Sequence, residues 1–267
     1  MAEILQSFAT EDIVAAIEAN LESFWLEYGG FQTWDAESCT LSWFRTDIPA
    51  LLYNGVLRSQ FSGDIDAEIA GAIDQFSTPF HWWITPSTQP NDLGERLAAK
   101  NFLFFGNLPG MAIDLQQLPE IPAIAGLEIV QAQDDETFAA WLNIAIAGFG
   151  TPEAVFDALL PVERAAFDSN YRRYLAIWQG QPVAISALYP DAGVAGIYFV
   201  ATLPEARGKG IGQAVTIAAL QDAKQLGYRI GILQASQMGV SVYRRIGFQA
   251  YCDLGLYIWQ PQSDSQI

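Results

Sequence analysis

The sequence predicts an α/β (α+β) chain: a mixed sheet flanked by helices, built as two related halves. Three observations carry this. In the second half, short runs of alternating apolar residues take turns with helical patterns, the signature of strands interleaved with helices. The end of the first half repeats the order found at the end of the second. And 267 residues exceed one ordinary domain of roughly 100–200 residues.

The elements of the second half come in this order. "LQQLPEIPAIAGLE", Leu115 to Glu128, carries two prolines between better patterned regions and reads as a linker. The expected division is residues 1–118, a linker at 119–126, and 127–267. "GLEIVQAQ" alternates as a strand, and a helix runs from about Asp134 to Ala147. "FGTPEAVFDALLP" predicts another helix, with Thr151 as N-cap and Pro152 at its first position. "RRYLAIWQGQPVAISALYP" predicts two strands joined at Gly180-Gln181, and "AGVAGIYFVAT" a third. A helix spans Ile211 to Leu226 with Gly227 as its stop. "YRIGILQAS", "GVSVYRRIGF" and "YCDLGLYIW" close the chain as strand, short helix and strand.

The first half echoes that ending. "RLAAKNFLFFGNLPGMAIDL" lines up with "SVYRRIGFQAYCDLGLYIWQ", Phe102 falling on Phe248 at a shift of 248 − 102 = 146. "HWWITP" stands before the first as "IGILQA" stands before the second, and a helix at about Asp66 to Phe76 matches the one at Ile211.

Composition excludes several functions. Thirty acids against thirteen bases leave a formal charge of −17, which repels the phosphates of nucleic acid and an anionic membrane alike. An amine would be attracted, although acidic surfaces also serve solubility alone. Cys39 and Cys252 are the only cysteines and fit a reduced, cytoplasmic protein; with His81 the only histidine, no Cys/His zinc cluster can be assembled. The start, "MAEILQSFATEDIV", has no basic n-region, and no run of about eighteen apolar residues occurs, so neither a signal peptide nor a spanning helix is expected.

Chemistry concentrates in "VATLPEARGKGIGQAV", Val200 to Val215. A strand ends, the chain turns at Pro204-Glu205, and Gly208, Gly210 and Gly212 open a helix. A helix start offers unpaired N–H groups and the positive end of the macrodipole; glycines let a bulky anion approach, and Arg207 and Lys209 add charge. The arrangement suits a diphosphate. GxxxxGK[ST] is absent, and the GxGxxG reading from Gly210 fails at Val215, so neither a P-loop nor an NAD site is predicted. A strand–turn–helix connection with glycines for close packing is the plain alternative.

"RGKGIG" and the later "GVSVYRRIGF" together resemble the R/Q-x-x-G-x-G/A and "xxxLYxxxGF" motifs of the GCN5-related N-acetyltransferase (GNAT) family, over about Gly126 to Trp259. The first half resembles a degenerate copy: "NGVLRSQFSGDIDAE" stands where the glycine turn belongs, and Leu97 takes the place of Tyr243. The whole is similar to the tandem-domain members, which implies two domains, each a mixed, mostly antiparallel sheet flanked by helices, the first without a cofactor site.

The resemblance further implies direct transfer of acetyl from acetyl-CoA to a primary amine, small molecule or peptide, with no metal and no acyl-enzyme. The diphosphate would meet Arg207 and the N–H groups of Gly208, Lys209, Gly210, Ile211, Gly212 and Gln213. The pantetheine arm would pair with Val200, Ala201 and Thr202, and an N–H near Val200 would face the oxyanion. Tyr243 would meet the departing thiolate; a phenol near pKa 10 gives its proton to a thiol near 8.5 uphill by about 2 kcal/mol, so strong hydrogen-bond donation serves as well as transfer. Ser236 stands where many members carry a cofactor-touching asparagine. No carboxylate lies on "GILQAS", where members often place the base; Tyr198, Asp157 and Glu163 are the alternatives, each also readable as packing or surface. His81 could serve as a base but reads as structural, and Arg172 and Arg173 read as surface pairs; Trp25, Trp34, Trp43, Phe44, Trp82, Trp83, Phe102, Phe104 and Phe105 could wall an acceptor pocket but read as core. Transfer of a longer acyl group stays open within the enzyme reading. The alternative to an enzyme is a non-catalytic acyl-CoA-binding or interaction protein of the same descent.

Overall fold

A computed structural model describes residues 3–29, 32–36, 39–166 and 171–261. The expectations for the side chains of Trp34 and Cys39 fall outside the described residues. By contacts the chain falls into two compact units, each made of two segments: Met1–Phe24 with Pro109–Cys252, and Trp25–Leu108 with Asp253–Ile267.

The first unit contains most of α1 (Thr10–Leu26) and a sheet in the order β5, β10, β9, β8, β7, β6. Its strands are β6 (Leu127–Gln131), β7 (Arg172–Trp178), β8 (Gln181–Asp191), β9 (Val194–Thr202), β10 (Ile230–Gln234) and the second half of β5 (Leu103–Asp114). β7 and β8 turn at Gln179-Gly180, β8 and β9 at Ala192-Gly193; all four residues have positive φ (53°, 78°, 54° and 76°), the geometry that matches strand twist in a two-residue hairpin. The helices are α4 (Asp135–Phe149), α5 (Phe156–Ala165), α6 (Ile211–Gln225) and α7 (Val240–Ile246). The core between α6, α7 and the sheet includes Met111, Leu188, Ile197, Val215, Leu233 and Tyr243.

Two expectations need correction here. Thr151 does not cap a helix at Pro152. Gly150 ends α4 in the left-handed region, Pro152 stays extended (φ −59°, ψ 130°), and a 3-10 turn at Glu153–Val155 precedes α5. The expected linker is irregular from 118 to 126, yet Leu118, Ile121 and Ile124 pack on the core.

The second unit orders its strands β1 (Gln32–Ala36), β2 (Cys39–Arg45), β3 (Asn54–Phe61), β4 (Phe80–Ile84) and the end of β11 (Gln249–Trp259). Its helices are α2 (Ile65–Ile73), shorter than the sequence suggests, and α3 (Leu93–Ala99). Trp43, Phe80, Trp82, Leu97 and Phe102 form its core. Phe104 and Phe105 do not: they are 55% and 65% exposed.

The internal echo is visible as the series β3-α2-β4-α3-β5 and β9-α6-β10-α7-β11. In each, the first two strands pair in parallel around a helix. The last strands, however, are exchanged. β10 pairs antiparallel with β5 of the first half, Ile230 to Gln234 against Asp114 to Gly110, and β4 pairs with β11 of the second half. That exchange is why the compact units interleave along the chain, where the sequence suggests a single cut at 119–126.

Candidate functional site

β9 runs from Gly193 toward the glycine turn. Its parallel ladder to β10 has two pairs, Ala195 with Gly231 and Gly196 with Ile232. Beyond them β9 keeps a partner only on its β8 side. There the register skips, Ala187 facing Tyr198 and Ile185 facing Ala201, and Phe199 takes φ 49°. This is a bulge, which re-aims backbone groups and sharpens the local bend. Among the described residues, β9 from Val200 to Thr202 therefore has one flank without a strand partner, with the Thr202 C=O taken by the Arg207 side chain.

The chain then makes a 3-10 turn, Pro204–Ala206, and enters α6 through Gly210, an N-cap residue with φ 80° and no side chain to cap with. The first helical bond is Ala214 N–H to Gly210 O. Among the described residues, no N–H from Gly208 to Gln213 has an acceptor within the chain, and the first turn of α6 holds no acid. Arg207 Nε donates to Thr202 O at 2.9 Å and Lys209 Nζ to Glu205 O at 2.9 Å, so both cations are held beside the turn and exposed. A Cβ at Gly212 would stand 3.0 Å from Thr202 Oγ1. Here the sequence-predicted residues from Val200 to Gln213 come together as one surface of donors with positive charge.

The second unit supplies an internal control. β3 and β4 also pair in parallel at only two positions, Gly55 with His81 and Val56 with Trp82. There the chain closes its own edge: Gln89 N–H donates to Ser59 O at 3.0 Å and Phe61 N–H to Gln89 O at 3.0 Å. The start of α2 is occupied as well. Asp64 Oδ1 accepts from Ala67 N–H at 3.2 Å, and Asp66 and Glu68 sit in the first turn. A diphosphate there would meet three carboxylates instead of free donors.

The remaining expected residues divide between core and surface. Tyr243 lies on α7 in the same apolar cluster as Ile211, with Val200 packed against it, edge-on to Phe248 at 5.8 Å. Burial raises its phenol above the ordinary range. Ser236 is spent locally: its Oγ accepts from Gly239 N–H at 3.2 Å and its C=O from Val240 N–H at 3.1 Å, which starts α7. Glu163 is fully buried and bound to Arg173 at 3.0 Å, so neither is a surface residue; the Arg173 guanidinium also lies over Phe138, Trp141 and Tyr171. Asp157 is exposed on α5. Arg172 pairs with Asp222 at 3.1 Å.

Tyr198 shows what sequence reasoning missed. Its hydroxyl donates to Asn20 Oδ1 at 2.8 Å, its ring stacks on Phe24 at 3.6 Å, and burial raises its phenol. Asn20 comes from α1, donates to Asp191 O at 2.9 Å, and occupies the space beside Gly196 where a side chain would stand. Nothing in α1 singles out that asparagine. An open cavity of about 630 Å³ lies at the C-terminal end of β9, lined by Asn143, Ile144, Glu153, Phe156, Pro182 and Leu203 among others. Among the described residues no helix is long and apolar enough to cross a membrane, and no cluster of three or more His, Cys, Asp or Glu is placed to hold a metal.

Known proteins share this fold. Residues 138–248 match the model of a family described as the acetyltransferase (GNAT) family. No curated protein sequence matches. Among solved structures, a GCN5-related N-acetyltransferase from Kribbella flavida is similar at TM-score 0.70 and 18% identity, covering 95% of this chain and 97% of that one. A functionally unknown conserved protein from Staphylococcus epidermidis aligns at TM-score 0.67 and 15% identity, over 86% and 94% of the two chains. A tandem GNAT protein from the clavulanic acid biosynthesis pathway aligns at 0.57 and 15%, over 85% and 80%.

Proposed function

We propose that this chain, whose residues 138–248 match the model of the GNAT family, is a cytoplasmic N-acetyltransferase that moves acetyl from acetyl-CoA to a primary amine by direct attack. One observation carries the reading: six consecutive N–H groups, Gly208 to Gln213, have no acceptor among the described residues, at a helix start that holds no acid. Acetyl-CoA supplies the activated thioester. The residues of the turn bind its diphosphate, the dipole of α6 favours the anion, and Arg207 and Lys209 offset the repulsion from a net charge of −17. The flank of β9 without a strand partner, from Val200 to Thr202, pairs with the amides of pantetheine. The N–H beside the bulge at Phe199 faces the oxyanion, with no reorganisation needed at the moment of reaction.

Tyr243 meets the thiolate. Burial makes its phenol a weaker acid still, so it acts by donating a hydrogen bond and keeps its proton. The N-terminal copy, with its edge closed by Gln89, supports the fold and binds no cofactor.

The test is the Gly210→Val variant. A β-branched residue at φ 80° costs about 1–2 kcal/mol in place, so the turn relaxes and its donors rotate away. Calorimetry is expected to show loss of acetyl-CoA binding with the fold retained; unchanged affinity would remove the diphosphate from this turn. A second reading, a non-catalytic acyl-CoA-binding protein, is favoured by the engagement of two candidate bases, Glu163 with Arg173 and Tyr198 with Asn20. Thiol release against a panel of amines separates the two: silence with intact CoA binding selects the binding protein.

A further inference from the structure

Beside the turn lies an aromatic residue with no assigned task. Trp178 ends β7, pairing with Leu127 and Gln181. Its Nε1 donates to Ala125 O at 3.1 Å, which satisfies its one polar group and pins the edge of the ring. The ring is half-buried, and the ammonium of Lys209 lies over its face, 5.2 Å from the centroid. The neighbour of Ala125, Ile124, reaches to 3.7 Å from where a Cβ at Gly210 would stand. Indole face, cation and glycine turn are therefore contiguous.

We propose that Trp178 and Lys209 form a seat for the adenosine end of the acyl carrier, so that the chain takes its acyl group from a free coenzyme A thioester and discriminates against the same arm without its nucleotide. This rests on the reading of the turn as a diphosphate site. The chemistry comes from how the carrier is joined. Coenzyme A links its diphosphate through a ribose to adenine, with a further phosphate on the ribose 3′ oxygen. A diphosphate on the N–H groups of Gly208 to Gln213 puts ribose and purine at the flank of the turn, where the indole stands. Every base has a π-face, and an aromatic side chain fixed at its edge offers a stacking surface at little entropic cost. The purine takes the face that the lysine covers. Lys209, on a flexible stem, then swings to the 3′-phosphate, exchanging Glu205 O and the ring for a full charge.

Calorimetry on the full chain with acetyl-CoA, 3′-dephospho-acetyl-CoA and acetyl-4′-phosphopantetheine tests this. Wild type is expected to bind acetyl-CoA about tenfold or more tighter than acetyl-4′-phosphopantetheine. Trp178→Ala weakens acetyl-CoA about tenfold, narrowing the gap to what the missing second phosphate sets, and leaves acetyl-4′-phosphopantetheine unchanged. Trp178→Phe, which keeps a stacking face, retains the gap to within about threefold; it carries the test should the alanine variant fail to fold. Lys209→Ala erases the preference for acetyl-CoA over its 3′-dephospho form. Equal wild-type affinity for acetyl-CoA and acetyl-4′-phosphopantetheine, which lacks one phosphate of the diphosphate as well as the nucleoside, overturns the diphosphate site and the seat together. A Trp178→Ala protein that binds acetyl-CoA as wild type does overturns the seat while the diphosphate site stands. If wild type binds none of the three, the diphosphate reading falls and the seat falls with it.

Discussion

Lowering the pH should expose the cost of His81. The ring lies on β4 with Nδ1 3.1 Å from Leu51 O, among Trp25, Phe44 and Trp83 at 5.7–6.0 Å, and over Gly55. Nε2 is buried without an acceptor or donor. A neutral ring donating to Leu51 fits this place; an imidazolium would carry a second N–H into an apolar wall. Burial accordingly lowers its pKa from 6.5 to about 4, against a smaller opposing effect of the Leu51 carbonyl. The unfolded chain takes up a proton near pH 6.5 and the folded chain only near 4. Stability from this residue is thus complete above about 6.5 and falls between 6.5 and 4 by about 1.4 kcal/mol per pH unit, in all about 3 kcal/mol. His81→Asn keeps an amide donor for Leu51 and does not titrate. Urea midpoints for both proteins from pH 7 to 4, followed by tryptophan fluorescence, isolate the effect, because carboxylates titrate equally in each. Wild type should lose about 3 kcal/mol more than the variant; parallel pH profiles would show that His81 is already charged or accessible.

Other substitutions should have equally definite outcomes. Gln89→Pro removes the N–H that closes β3 at Ser59, and should destabilise the unit holding Trp25–Leu108 by about 1–3 kcal/mol in chemical denaturation. Acetyl-CoA affinity should not change; a fall would mean that this unit also binds the carrier. Tyr243→Phe should lower turnover roughly 10²–10⁴-fold with cofactor affinity intact, and full activity would take the phenol out of the reaction. Glu163→Leu strands the Arg173 guanidinium and should cost about 3–5 kcal/mol of stability. If instead the folded variant binds acetyl-CoA but transfers nothing, Glu163 is the missing base.

The glycine turn was legible because every part of it is local. Strand, turn and helix are consecutive, and glycines at 208 and 210 adopt the left-handed angles that their lack of a side chain permits. The β7–β8 and β8–β9 hairpins were equally local. The start of α5 differs from its sequence pattern because Pro152 suits an extended residue as well as a first helical one. Its ring fixes φ alone, and ψ is left to the packing of the turn at Glu153–Val155. Aromatic residues at 104 and 105 look like core in a list of residues, yet their place on β5 leaves them in solvent.

What the sequence by itself determined is the series of elements, their repetition, and a helix start rich in donors between Val200 and Val215. Only the tertiary structure decided which strand completes each sheet, that Asn20 stands beside Gly196 and Tyr198, and that Gln89 closes one edge while the other has no strand partner among the described residues. The reason is reach. Turns, caps and helix starts are set by dihedral angles and hydrogen bonds within a few residues. Strand pairing and edge closure are chosen among distant segments by which register buries most apolar surface with every backbone group satisfied.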